Sequence, residues 1–329
     1  MMFRRSLVAL TTAALCAMTA VAHADTTPIA ETGKVRLSGA DRYATSVAIS
    51  RKTFTTPQDR VVIVSGEDWP DGLAAGPLAA RWKAPVLLVS RKGVPAVVRA
   101  ELQRLHARQL IAVGGPASVP ESVMREAAQW SSSAARASGA NRYETAEAVA
   151  RSMTSVDAVY LASGTSFADA LSSGAVAAAE NGAVLLTTTS ALPAATKRAL
   201  SDTAPSKVVI VGGPSVISPA VESQVRAALP GATVTRVYGS DRYYTAFLLA
   251  MPRWGAREGG SNIFYASGTS FADALSGAPA AYVNDAPILL TRGTCTPGPT
   301  EFMDQEVTIK LKVFLGGPTV TYSGSRICP

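Results

Sequence analysis

The chain has 329 residues, of which 47% are hydrophobic, 17% charged and 6% aromatic. That length exceeds one ordinary core and points to two or three domains. Gly 26 and Pro 20 are near ordinary usage, which excludes collagen-like and broadly disordered chains. A formal charge of +7 without any dense Lys/Arg run argues against a nucleic-acid binder and leaves anionic partners open.

Arg4 and Arg5 precede an apolar stretch from Leu7 to Val21, followed by Ala22-His23-Ala24. A charged start, a short apolar run and an A-x-A site predict a signal peptide over 1–24, removed before Asp25. Arg4-Arg5-Ser6-Leu7-Val8 also suits the twin-arginine route, and the two routes are not separated by sequence. Cys16 follows Ala-Ala-Leu rather than a small residue, against a lipid anchor. No later segment reaches the roughly 18 apolar residues of a membrane span. The expected mature protein is exported, carries 29 basic and 24 acidic side chains, and keeps only Cys295 and Cys328. In an exported chain these two are expected to form a disulfide, stabilising by roughly 3 kcal/mol through loop closure.

Internal repetition dominates the rest. Arg36-Leu37-Ser38-Gly39-Ala40-Asp41-Arg42-Tyr43 returns as Arg136-Ala137-Ser138-Gly139-Ala140-Asn141-Arg142-Tyr143, then as Arg236-Val237-Tyr238-Gly239-Ser240-Asp241-Arg242-Tyr243. The period is 100 residues, and Thr45, Thr145 and Thr245 follow in step. A second block, Ser65-Gly66 with Asp71-Gly72-Leu73, recurs around Ser163-Gly164 with Asp169-Ala170-Leu171 and Ser267-Gly268 with Asp273-Ala274-Leu275. The third is Gly114-Gly115-Pro116, Gly212-Gly213-Pro214 and Gly316-Gly317-Pro318. This period is longer than the 20–50 residues of solenoid units, so each copy is a small domain. The expected boundaries are 25–133, 134–233 and 234–329.

In chain order, strands are predicted at 61–64, 86–89 and 110–113, with counterparts at 158–162, 184–186, 208–211, 263–266, 288–290 and 313–315. These runs are apolar, β-branched and without period-2 alternation, as in strands buried on both faces of a parallel sheet. Helices fall between them, for example over 71–83, 94–108 and 121–130. Strand and helix alternating in this way predict α/β domains of three layers with parallel sheets. Repeat three ends soon after Gly317, without the helix and strand that lead out of repeats one and two. Residues 34–37 are therefore expected to complete the third sheet, closing a ring with pseudo-threefold symmetry.

Beyond the signal segment there is one histidine, His106, without a counterpart in the other repeats. No G-x-S-x-G elbow accompanies it, so a Ser-His-Asp triad is not supported. Neither is a zinc site, and neither metal nor cofactor is expected. Asp68 and Asp71 lie close in repeat one, but Ser166 and Ser270 replace Asp68 in the others, so no carboxylate pair is singled out for glycoside hydrolysis. The chain reads as a non-enzyme.

Gly115, Gly213 and Gly317 sit in turns between strand and helix, where α/β domains bind ligands. Those turns match no nucleotide motif, and a structural role in tight turns is preferred. The Arg-x-x-Gly-x-Asp/Asn-Arg-Tyr block is the better binding candidate. Arg36, Arg42, Arg136, Arg142, Arg236 and Arg242 bring guanidinium forks suited to phosphate or carboxylate. Pairing with Asp71, Asp169 and Asp273 across domain interfaces is the competing assignment, and both stay open. Asp41, Asn141 and Asp241 suit helix N-caps. Tyr43, Tyr143 and Tyr243 suit either stacking on sugars or packing at an interface.

These three ordered blocks, together with Ala286-Pro287-Ile288-Leu289-Leu290-Thr291 and Val209-Ile210-Val211-Gly212-Gly213-Pro214, resemble the cell wall binding repeat 2 family. The resemblance runs from about Lys34 to Thr319. It implies three Toprim-like or flavodoxin-like domains in a pseudo-trimer that holds exported proteins noncovalently on Gram-positive walls. The implied ligand is an anionic wall polysaccharide or teichoic-acid-like polymer. Many family members carry a separate catalytic domain; here the repeats take up the chain, which reads as an anchor without cargo. Asn141 in place of an acid, and Glu67-Asp68-Trp69-Pro70 where the other copies read Thr-Ser-Phe-Ala, depart from the pattern. The competing functions are an amidase-like peptidoglycan hydrolase and a surface adhesion protein with a protein partner.

Overall fold

The computed structural model describes residues 26–320 and Cys328, apart from residues 168 and 294. The expected signal peptide, with Arg4, Arg5 and Cys16, lies outside the described residues. In chain order the elements are β1 (Gly33–Leu37), α1 (Arg42–Thr53), β2 (Arg60–Ser65), α2 (Pro70–Arg81), β3 (Val86–Val89), α3 (Ala96–Leu105), β4 (Gln109–Val113), α4 (Glu121–Ala128) and β5 (Ser133–Ala137). The second unit continues with α5 (Arg142–Arg151), β6 (Ala158–Ser163), α6 (Ser173–Ala179), β7 (Ala183–Thr187), α7 (Ala194–Thr203), β8 (Lys207–Val211), α8 (Pro219–Ala228) and β9 (Thr233–Val237). The third has α9 (Arg242–Trp254), β10 (Ser261–Ser267), α10 (Ala272–Val283), β11 (Ile288–Thr291), α11 (Gly298–Glu306) and β12 (Ile309–Leu315).

Three four-stranded sheets result, ordered β3-β2-β4-β5, β7-β6-β8-β9 and β11-β10-β12-β1. Every pairing between these strands is parallel. β3 and β11 are buried at all their positions, as strands covered on both faces must be. The first strand of the chain does complete the last sheet: Val35 stands opposite Val313 and Leu37 opposite Leu315. Each unit thus borrows its edge strand from the start of the next repeat, and the first repeat supplies the third. The boundaries expected at 133/134 and 233/234 fall within or beside β5 and β9, strands that open one repeat and close the preceding sheet.

The units meet through α2, α6 and α10. Gly76, Gly174 and Ala278, each five residues after its repeat's aspartate, lie where these helices converge. A Cβ placed on Gly76 or on Gly174 would come 3.2 Å from the Ala278 Cβ. Side chains larger than a methyl would separate the three backbones. Above this contact Phe167 sits between Trp69 and Phe271, with ring centroids 5.7 and 6.2 Å away in edge-to-face arrangements. These three aromatics occupy equivalent positions and mark the pseudo-threefold axis on the face where the strands end. At the far end of the chain, Cys295 is disulfide-bonded to Cys328.

Candidate functional site

In each sheet the chain reverses its direction of winding beside the first strand of the unit, so a crevice opens past the ends of β2 and β4 and their equivalents. Open α/β sheets receive ligands at this place. The first glycine of each Gly-Gly-Pro turn has a positive φ: 112° at Gly114, 127° at Gly212 and 111° at Gly316. The reason is steric as well as conformational. A Cβ on Gly114 would lie 2.7 Å from Asp71 Oδ2, and one on Gly316 would collide with Asp273. The aspartate of the second block therefore sits against the turn of the third.

The three carboxyls differ because their neighbours differ. Ser118 Oγ donates to Asp71 Oδ2 at 2.8 Å. Val216 and Val320 occupy the corresponding positions beside Asp169 and Asp273. Burial raises Asp169, partly offset by a hydrogen bond from Thr245 and by the charge of Arg242. Burial pushes Asp273 up to about 6, opposed by the charge of Arg42. Among the described residues no ion pair joins these aspartates to the block arginines; the influence of Arg42 and Arg242 is felt at longer range.

The first arginine of each block is committed to the Gly-Gly-Pro turn. Arg136 Nη1 donates to the Gly114 and Val119 carbonyls at 2.7 and 2.9 Å, and its Nη2 pairs with Glu121 at 3.0 Å. Arg236 does the same with Gly212 and Ile217, both at 2.8 Å, and with Glu222 at 3.0 Å. Arg36 reaches Gly316, Gly317 and Val320 at 2.9, 2.6 and 2.7 Å, with its guanidinium over the Phe314 ring. Since β1, β5 and β9 are the borrowed strands, these guanidiniums pin each borrowed edge to the turn of its sheet.

The second arginine faces the axis. Arg42, Arg142 and Arg242 donate to the Gly66, Gly164 and Gly268 carbonyls, the last at 2.6 Å. Each also lies over an aromatic of another unit: Arg42 over Phe271 at 5.7 Å, Arg142 over Trp69 at 5.4 Å and Arg242 over Phe167 at 5.8 Å. The pattern is cyclic, so three cations ring three aromatics. Among the described residues each of these guanidiniums makes that one hydrogen bond and no ion pair, which leaves further N–H groups of every fork uncommitted.

The rest of the block is architectural. Asp41 accepts from the Ala44 N–H, Asn141 from Tyr143 and Glu144, and Asp241 from Tyr243 and Tyr244, so all three are helix N-caps. Thr45, Thr145 and Thr245 accept from the Gly39, Gly139 and Gly239 N–H groups at 3.1, 3.2 and 3.1 Å. Tyr43, Tyr143 and Tyr243 lay their rings against Gly66, Gly164 and Gly268 so closely that a Cβ there would clash. Gly115, Gly213 and Gly317 line the open side of the turns. The acids peculiar to repeat one are met locally, Arg91 lying 3.4 Å from Asp68 and 3.9 Å from Glu67.

The crevices are consequently not identical. In the first, a cavity of about 160 Å³ is lined by Asp68, Asp71, Ser118, Asn141, Arg142 and their neighbours. In the second, Tyr238 stands over Gly213, 3.2 Å from where a Cβ would be, and 47% of its surface is exposed. Ser38 and Ser138 hold that position in the other two. In the sequence the position of Tyr238 is marked only by its departure from two serines. His106, the one histidine described, ends α3 in a left-handed turn and takes no part in the lining of the first crevice. Among the described residues no three His, Cys, Asp or Glu side chains assemble into a metal-binding group, and no helix is long and apolar enough to cross a membrane.

A thrice-repeated α/β unit with parallel four-stranded sheets, each sheet closed by the first strand of a neighbouring repeat, defines the class of this protein by its fold. The chain belongs to the family described as Cell wall binding domain 2 (CWB2), which matches residues 36–124, 136–222 and 236–324. It is 29% identical over 267 residues to the N-acetylmuramoyl-L-alanine amidase LytC of Bacillus subtilis (strain 168), covering 81% of this chain and 52% of the relative. It is 28% identical over 282 residues to the Amidase enhancer of the same organism, covering 85% and 38%. Two solved structures from Clostridium difficile share the fold. Cwp6 superposes with a TM-score of 0.82 at 25% identity, over 90% of this chain and 49% of its own. Cwp8 gives 0.79 at 25% identity, over 88% and 50%. The chain spans about half, or less, of the length of these proteins.

Proposed function

We propose that this protein is a noncatalytic wall binder that holds an anionic wall glycopolymer noncovalently, outside the cell, through its three crevices. Arg42, Arg142 and Arg242 meet the anionic groups. Arg36, Arg136 and Arg236 shape the turns that the polymer lies against, and Tyr43, Tyr143 and Tyr243 support the arginine-bearing loops. One observation carries this reading: three equivalent guanidiniums on the axis face are positioned by a single carbonyl and a neighbouring ring, with the rest of each fork uncommitted. Three weak sites on one rigid frame add their affinities when a repeating polymer spans them. Family membership supports the wall as the target, and one of the relatives is by name an N-acetylmuramoyl-L-alanine amidase.

The test replaces Arg42, Arg142 and Arg242 by alanine, singly and together, and measures co-sedimentation with purified walls. Binding that falls stepwise while the circular dichroism spectrum stays unchanged is the expected result. Full binding by the triple variant would remove these arginines from the ligand contact. A hydrolase reading requires release of soluble peptidoglycan fragments from the same walls, which the proposal predicts to stay at the level of a heat-denatured control.

A further inference from the structure

The third unit departs from the second at a matched pair of positions on its outer helices. In the second unit Glu147 on α5 accepts two hydrogen bonds from Arg198 on α7, at 2.9 and 2.7 Å. The residues at the same places in the third unit are Phe247 on α9 and Phe302 on α11. Their rings meet edge to face, centroids 5.7 Å apart, and Tyr244 adds a further edge-to-face contact to Phe247 at 5.8 Å. The first unit has Val47 and Ala100 there. Where one copy has an ion pair another has an aromatic cluster, and its outer rings are open to solvent: Phe247 is buried, but Phe302 is 49% and Tyr244 42% exposed.

Among the described residues nothing crowds the ground beside the cluster. Gly298 replaces the Ala96 and Ala194 of the other units, and a Cβ placed on it would meet nothing within 4 Å. A cavity of about 380 Å³ is lined by Tyr244, Phe247, Gly298, Pro299 and Phe302. A second, of about 250 Å³, shares Tyr244, Gly298 and Pro299 and adds Ser240, Asp241 and Arg292. Arg292 is itself placed by stacking over the Tyr243 ring at 5.3 Å.

We infer that this platform is a saccharide subsite of the third unit, taking an uncharged pyranose residue of a glycan. A pyranose presents an apolar face of C–H groups and a rim of hydroxyls that both donate and accept. The aromatic half matches the first, and the hydroxyl, carboxylate and guanidinium of the polar half match the second. A partner helix seated in the apolar half would have to bring separate polar side chains to these groups, whereas a single pyranose carries both the apolar face and the polar rim. The inference deepens the wall-binding proposal by adding a contact to neutral sugar, separate in place and chemistry from the three axial arginines.

The test is saturation-transfer NMR on the full chain with two neutral probes, tetra-N-acetylchitotetraose and maltotetraose. Ring-proton signals with at least one probe are expected, weakened about tenfold in affinity by Phe302→Ala and by Tyr244→Ala. Because both side chains are half exposed, unchanged melting curves will show that the variants fold. The triple Arg42, Arg142 and Arg242 alanine variant should keep these signals, so failure of the anionic contact and failure of the platform are distinguishable. No transfer from either probe, or transfer indifferent to Phe302→Ala, overturns the inference. Concentration-dependent dimers abolished by Phe302→Ala would also overturn it, reassigning the patch to a second copy.

Discussion

Replacing Arg236 by methionine separates the two arginines of the block. Methionine keeps most of the apolar stem and removes the guanidinium, whose side chain is 12% exposed. Two carbonyls, Gly212 and Ile217, lose charged donors at 2.8 Å. An orphaned, part-buried acceptor costs about 1–2 kcal/mol, so the pair costs about 3 kcal/mol. Glu222 retains Arg226 at 2.8 Å and adds little to this loss. At about 2 °C per kcal/mol for a chain of this size, the melting temperature should fall by about 6 °C. Loosening is expected first where β9 joins the second sheet, and hydrogen exchange should accelerate at residues 233–237. Below the melt, wall affinity should stay within about twofold of the parent, since this fork is taken up by the turn and by Glu222. Arg242→Ala should behave oppositely, with a small thermal shift and a large loss of wall binding. An Arg236→Met protein that melts like the parent but no longer binds walls would refute this division of labour.

Further outcomes follow from the same geometry. Asp273 is pushed up to about 6 by burial, above its unfolded value, so its native state holds the proton more tightly than the unfolded chain. The resulting penalty is fully present above pH 6 and fades as pH falls toward 4. Asp273→Asn should therefore raise stability at pH 7.5 by up to about 3 kcal/mol and by little at pH 4, as chemical denaturation at the two pH values will show. Gly114→Ala forces a Cβ to within 2.7 Å of Asp71 Oδ2 in a left-handed turn. It should lower the melting temperature, with a second substitution, Asp71→Ala, recovering part of the loss. Cys328→Ser opens a loop of 33 residues and should cost about 3–4 kcal/mol by the chain-entropy relation. Reductant should reproduce that loss in the parent and have no effect on the variant.

The architecture was legible because three copies of one pattern constrain each other. The run at 34–37 could be assigned to the third sheet only because repeat three lacked the strand that the others possess, and Val35 does stand opposite Val313. The boundaries read from the repeats were less informative about the folded units, because β5 and β9 open one repeat in sequence and close the preceding sheet in space. The partners of the arginines were not legible. In the sequence, external anions and Asp71, Asp169 and Asp273 are both open as partners, yet the acceptors in the structure are largely backbone carbonyls, which leave no mark in a sequence. Arg36 and Arg42 look alike as letters; one sits on a sheet edge and bonds a turn, the other opens a helix and faces the axis. The aromatic trio was also missed, since Trp69, Phe167 and Phe271 read only as a departure between copies until the fold brought them together. Glu147 and Arg198 becoming Phe247 and Phe302 was visible in principle, but only once α5 and α7 are known to be neighbours.

The central claim is that an anionic polymer of the wall is the ligand. Its most direct test is binding of the protein to purified walls, intact or stripped of anionic polymer, from about 0.05 to 0.5 M salt. Strong binding to intact walls, falling at least about tenfold across the series as charges are screened, and absence of binding to stripped walls are the predicted results. Equal, salt-insensitive binding to both preparations would contradict the account and place the ligand in the peptidoglycan itself.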